Sequence, residues 1–105
     1  MFSFRSGPDG EVRLIGELDL AGTVPLRRWL EQLEGPVRFD CSDLTFIDAA
    51  GLGALIGSRN RCVARGQACV LQAPPRCLTK MLSILGLDGI FDVEGPDTRA
   101  TSLPS

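Results

Sequence analysis

The apolar positions of this 105-residue chain change their spacing as it proceeds, and each change marks a new element. Val12, Leu14, Gly16, Leu18 and Leu20 alternate with Arg13, Ile15, Glu17 and Asp19, which predicts a strand with one face turned inward. Phe2 and Phe4, ahead of the Gly7-Pro8-Asp9-Gly10 turn, predict a short partner strand and so an antiparallel hairpin. After Asp19 the period lengthens. Leu26, Trp29, Leu30 and Leu33 stand at i, i+3, i+4 and i+7, with Arg27, Arg28, Glu31 and Glu34 on the opposite side. This predicts an amphipathic helix with Thr23 as N-cap, Pro25 where a missing N–H costs nothing, and Gly35-Pro36 as its end.

Val37, Phe39 and Cys41 then read as a strand, and Leu44, Phe46 and Ile47 continue its buried approach to a turn. A second helix is predicted over 50–65. Its stripe is Leu52, Leu55, Ile56, Cys62 and Val63, while Gly53, Ala54, Gly57, Ser58 and Arg61 share another, smoother face. That face suits close packing by a neighbouring helix of the domain or by a partner's helix. Gly66 closes the helix, and residues 68–73 form a short apolar strand. Pro74-Pro75 opens a third helix with Cys77 or Leu78, Met81, Leu82 and Leu85 inward, ended by Gly86. Residues 90–93 predict a last strand. The order β-β-α-β-α-β-α-β demands crossovers, so the expectation is one α/β domain over 1–95 with a mixed, mostly parallel sheet of about five strands and three to four helices. Residues 96–105 read as a polar, proline-punctuated tail with little to bury.

Composition narrows the function. Net charge is −2 with both signs interspersed, so no basic field awaits nucleic acid. The chain has no histidine and no tyrosine, which removes histidine-based triads and most catalytic zinc sites. Cys41, Cys62, Cys69 and Cys77 are too widely spaced for a Cys-x-x-Cys pair, so neither a metal site nor a cofactor is expected. Cys41, Cys62 and Cys69 fall on predicted core positions. Cys77, in the first turn of a helix beside Arg76, is the candidate for redox chemistry. The longest apolar run falls far short of the roughly 20 residues that span a bilayer, and the N-terminus lacks a signal-peptide pattern, which places the chain in the cytoplasm.

The candidate chemistry lies in residues 43–53, Asp-Leu-Thr-Phe-Ile-Asp-Ala-Ala-Gly-Leu-Gly, where a strand runs through an acidic turn into a helix. Asp48 is placed to cap that helix by accepting from the amide of Ala50 or Gly51. Gly51 and Gly53 form a Gly-x-Gly, but the adjacent Asp48 carboxylate would repel a phosphate. Asp19 and Thr23 are turn and cap residues of the first helix.

This stretch resembles the signature loop of the STAS domain of bacterial anti-sigma factor antagonists, where Asp-Ser-Ser-Gly-Leu-Gly carries a serine phosphorylated by a partner kinase. Gly16-Glu17-Leu18-Asp19, the strand from Phe39 to Leu44, and Leu85-Gly86-Leu87-Asp88-Gly89-Ile90-Phe91 resemble other parts of that family in the same order. The resemblance implies a non-enzymatic regulator that binds an ATP-binding anti-sigma kinase and frees the sigma factor. The implied contact surface is Asp48, Ala49, Ala50, Gly51, Leu52 and Gly53, with Asp19 and Thr23 at its edge. The phosphorylated position reads Ala49, however, and Ala50 replaces the next serine, so the usual switch is gone. A second departure is the tail, which shows no stripe for the further helix that the family often has. The alternatives are a STAS subunit of a lipid or anion transporter, docking on a transport ATPase or membrane protein, and a thiol redox protein using Cys77. A monomer or weak dimer is expected.

Overall fold

The computed structural model describes residues 1–95. The expected 96–105 tail lies outside the described residues. In chain order the elements are β1 (Phe2–Ser6), β2 (Val12–Leu18), α1 (Leu20–Leu30), β3 (Val37–Ile47), α2 (Ala49–Ala64), β4 (Cys69–Gln72), α3 (Arg76–Ile84) and β5 (Asp92–Glu94). The five strands form one sheet in sequence order. The β1–β2 hairpin is antiparallel and every later pair is parallel, as the alternation of elements requires. All three crossovers step the same way across the sheet, so right-handed connections place all three helices on one face.

Burial agrees with that arrangement. Val12, Leu14, Leu18, Phe39, Cys41 and Leu71 point to the helices and are almost wholly buried. Leu26 and Leu30 of α1, Leu52 and Leu55 of α2, and Leu78 and Leu82 of α3 meet them from above. Trp29 is half-buried over the hairpin, its ring centroid 5.5 Å from that of Phe4. Arg5, Arg13 and Arg38 project from the opposite face into solvent.

Strand β3 departs from simple alternation. Its pairing with β2 skips twice: Arg13 and Ile15 face Asp40 and Asp43, then Gly16 and Glu17 face Leu44 and Phe46. Each skip inserts one extra residue on β3, a bulge that resets which side chains face inward. Leu44 and Ile47, three apart, are therefore buried, whereas Phe46, expected inside, is 48% exposed. Gly16 lies at the second bulge with φ of 92°, and a side chain there would strike the Met1 carbonyl oxygen. Only glycine takes both the backbone and the space.

Other expectations shift at element ends. Helix α1 begins at Leu20, so Asp19 is its N-cap in place of Thr23. Thr23 is buried, and its hydroxyl donates to the Asp19 carbonyl at 2.8 Å. Pro25 lies inside the helix, where it forfeits the bond to the carbonyl of Ala21, an exposed residue that water can serve. Leu20 is then the first helical residue and 68% exposed, not the inward end of a strand. Val63 and Leu85 also point outward. The last strand is Asp92–Glu94, and Ile90 and Phe91 pack on the core from the turn before it.

One buried carboxylate holds the helix-free face. Asp40 accepts from the Ser42 amide at 3.0 Å and its hydroxyl at 2.7 Å, and from the Arg13 guanidinium at 3.5 Å. Burial alone would raise the Asp40 pKa, but the Ser42 and Arg13 contacts outweigh it and hold the carboxyl below its ordinary 3.8. Because the folded value lies below the unfolded one, this stabilisation is complete above pH 3.8 and is lost as pH falls through the folded value. Wild type should therefore exceed Asp40→Asn in stability at neutral pH, with a gap that narrows on acidification below that point. A gap independent of pH in denaturation titrations would remove the charge from the explanation.

Candidate functional site

The site is assembled by two neighbouring parallel strands that end together. Leu18 and Ile47 are register partners, and the residue after each strand is an aspartate that caps a helix. Asp19 accepts from the Gly22 amide at 3.3 Å and Asp48 from the Gly51 amide at 2.9 Å. The Asp48 amide in turn donates to the Leu18 carbonyl at 3.2 Å, tying the two turns together. The Asp48 carboxylate serves a Gly51 amide that has no backbone acceptor, the Asp19 carboxylate shares the Gly22 amide with its own carbonyl at 3.1 Å, and both face the positive end of a helix, worth about 1 kcal/mol per cap.

The residues expected to meet a partner divide by burial. Ala49 is exposed at the first position of α2, and Ala50 and Asp48 are half-buried beside it. Asp19 is exposed. Gly51, Leu52 and Thr23 are buried, so they position the turn and present no surface. At Gly51 a Cβ would stand 2.6 Å from the Leu18 carbonyl oxygen and 2.7 Å from Leu18 Cγ. This glycine lets the start of α2 lie directly on the end of β2.

The smooth face of α2 is split as well. Ala54 and Ser58 are buried against the domain's own elements. Gly53 and Gly57 are half-exposed, and a Cβ on them would meet only side-chain ends, Arg27 Nη2 at 3.3 Å and Arg61 Nη1 at 3.8 Å. Internal packing therefore does not require glycine at either position.

Part of this surface is apolar and runs against the hydrophobic pattern. Leu20, Val24 and Phe46 are 68%, 54% and 48% exposed around the paired turns. Alternation places Leu20 and Phe46 on inward faces of strands, and the start of α1 and the β3 bulges turn them outward. The three-residue step from Leu44 to Ile47 is the signal that would have released Phe46.

The cysteines separate into two environments. Burial, the largest cause in each case, pushes the thiols of Cys41 and Cys69 up to about 12, so neither supplies thiolate at neutral pH. Cys62 is also buried, whereas Cys77 is half-exposed, its sulfur 4.0 Å from the Thr45 carbonyl oxygen. In native buffer a thiol reagent should label Cys77 first and leave the other three until unfolding. Equal labelling of all four in the folded protein would contradict this burial.

Comparison with known proteins bears on the whole of this architecture. The family model described as "Mlab, STAS domain" matches residues 3–93. The chain belongs to the STAS family. Its STAS fold aligns with the crystal structure of TM1081 of Thermotoga maritima, described as a candidate anti-sigma factor antagonist, at 22% identity and a TM-score of 0.74, covering 97% of this chain and 92% of that one. It aligns equally widely with the Bacillus cell fate determinant SpoIIAA in its phosphorylated form, at 17% identity and a TM-score of 0.68, covering 98% and 99%. A sulfate transporter family protein of Wolinella succinogenes aligns at 18% identity and a TM-score of 0.60, covering 92% of each chain. At these identities the likeness establishes the STAS fold. No curated protein sequence matches the chain. Among the described residues no helix is long and apolar enough to cross a membrane.

Proposed function

We propose that this STAS domain is a non-enzymatic, cytoplasmic anti-sigma factor antagonist: it binds an ATP-binding anti-sigma kinase and so frees the sigma factor that the kinase holds. The observation that carries this reading is the paired turn, with Ala49 exposed at the first helical position beside the capping Asp48. SpoIIAA, named as an anti-sigma factor antagonist, has the same fold and is known in unphosphorylated and phosphorylated forms. In this chain a methyl group stands where the resemblance places the serine. A phosphate would add about −1.5 to −2 charges next to Asp48, at a surface that must fit closely on its partner. Without a hydroxyl at Ala49 that form of release is closed, and the domain stays competent to bind, controlled by its amount or by a different input.

Ala49→Ser tests the reading. With the kinase and ATP, the variant is expected to incorporate phosphate at the new serine and to lose affinity for the kinase, while the wild type does neither. A variant that binds the kinase yet takes up no phosphate would mean that the recognition around the turn has changed along with residue 49.

The likeness to the sulfate transporter family protein favours a second reading, a STAS subunit that docks on a transport ATPase or membrane protein through the same turn. Co-purification of a transport ATPase in place of a kinase would select it.

A further inference from the structure

Two of the four cysteines meet at one edge of the core. Cys62, near the end of α2, and Cys69, the first residue of β4, flank the exposed return formed by residues 63–68. Their side chains are 2% and 5% exposed. Contacts on both sides of the return bring the two sulfurs together. The Gln67 amide donates to the Cys62 carbonyl at 2.8 Å, and the Val37 amide donates to the Ala68 carbonyl at 3.0 Å. The Cys62 thiol donates to the Gly35 carbonyl at 3.8 Å, and Val37, two residues further on, is the register partner of Cys69. Cys62 is accordingly a hydrogen-bonding neighbour of the Cys69 thiol. Filling apolar space accounts for a small thiol at either position, but it does not require two thiols in contact. The other two cysteines lie outside this pair, with the Cys41 sulfur turned to the Phe39 carbonyl at 3.7 Å and the Cys77 sulfur against Thr45.

We infer that Cys62 and Cys69 form a redox-modification site, a dithiol that hydrogen peroxide closes to a disulfide within one chain and a thiol reductant reopens. Two thiols and one peroxide give one disulfide and two waters. Burial and the neighbouring Cys62 push the Cys69 thiol up to about 12, so Cys69 keeps its proton at neutral pH and Cys62 is the attacking sulfur. As its thiolate, Cys62 attacks the peroxide: an S–O bond forms, the O–O bond breaks, and the released hydroxide takes up the proton that Cys62 gave to solvent. The Cys69 sulfur then attacks the Cys62 sulfenic acid. The S–S bond forms as the S–O bond breaks, and the hydroxyl leaves with the Cys69 proton as the second water. The two sulfurs together lose the two electrons that the peroxide oxygens gain. Peroxide is little larger than water, so a brief opening of the exposed 63–68 return admits it where a bulky thiol reagent is kept out. A reducing thiol reopens the link by exchange, which makes the modification transient in a reducing compartment. The site is independent of the docking turn: Asp48 caps one end of α2, and Cys62 stands about 21 Å along the same helix.

The test treats the folded full chain with hydrogen peroxide until Cys77 of the wild type is fully oxidised, blocks the remaining thiols in denaturant, and digests with trypsin. Cleavage after Arg61, Arg65 and Arg76 releases residues 62–65 and 66–76 as separate peptides unless Cys62 and Cys69 are joined. The expected result is a linked pair of these two peptides that dithiothreitol separates. In the Cys77→Ser variant, free thiols should fall from three to one, and a non-reducing gel should show a single-chain band. In Cys69→Ala, Cys62 should stop at the sulfenic acid and be trapped by dimedone. Should that variant fail to fold, the peptide map of the wild type decides alone. Complete blocking of Cys62 and Cys69 with no linked pair, a link that runs through Cys41, or a link between two chains would overturn the inference.

Discussion

Gly51→Ala is expected to destabilise the domain by about 2 kcal/mol, although alanine is the better helix former by about 1 kcal/mol. The added methyl would stand 2.6 Å from a backbone oxygen of β2, which cannot rotate away as a side chain could. Relief requires lifting the first turn of α2, and that would break the Gly51–Asp48 and Asp48–Leu18 hydrogen bonds together. Gly57→Ala is the matched control, since a Cβ there meets only the end of Arg61 at 3.8 Å. It should stabilise the domain by up to about 1 kcal/mol through helix propensity. Two identical substitutions in one helix should therefore change the melting temperature in opposite directions. Urea or thermal denaturation reads both, and a Gly51→Ala protein as stable as Gly57→Ala would mean that α2 does not rest on β2 as described.

Asp48→Lys carries the largest expected effect on binding. The substitution reverses charge at the half-exposed centre of the turn and places a cation at the positive end of α2. Kinase affinity should fall by about tenfold to a hundredfold. Loss of the cap would by itself cost about 1 kcal/mol of stability, so Asp48→Asn, which still caps, separates the two roles. If the carboxylate meets the partner, Asn should lose much of the affinity with little loss of stability. Full affinity in Asp48→Asn and loss only in Asp48→Lys would reduce Asp48 to a structural cap.

The order of elements was legible because each change of hydrophobic period has a physical cause in which face is buried. Position inside an element was less so. Two bulges in β3 turn Phe46 outward, and nothing in a strict alternation rule anticipates an inserted residue. At the start of α1, Thr23 and Pro25 carry the chemistry of a helix start, yet Asp19 begins the helix because the end of β2 delivers the chain there. The acidic turn was legible from residue types alone. That Leu52 and Gly51 lie under the surface, and that Leu20 and Val24 lie on it, depends on how two helices sit over a sheet, which only the fold defines.

The central claim is that this chain displaces a sigma factor without being phosphorylated at the turn. Titrating the purified chain, with ATP, into a complex of the anti-sigma kinase and its sigma factor tests this directly. The account predicts release of the sigma factor in proportion to added chain, a stable complex of chain and kinase, and no phosphate on the chain. A sigma factor that stays bound at every concentration, or release that proceeds with phosphate transferred to the chain, would contradict it.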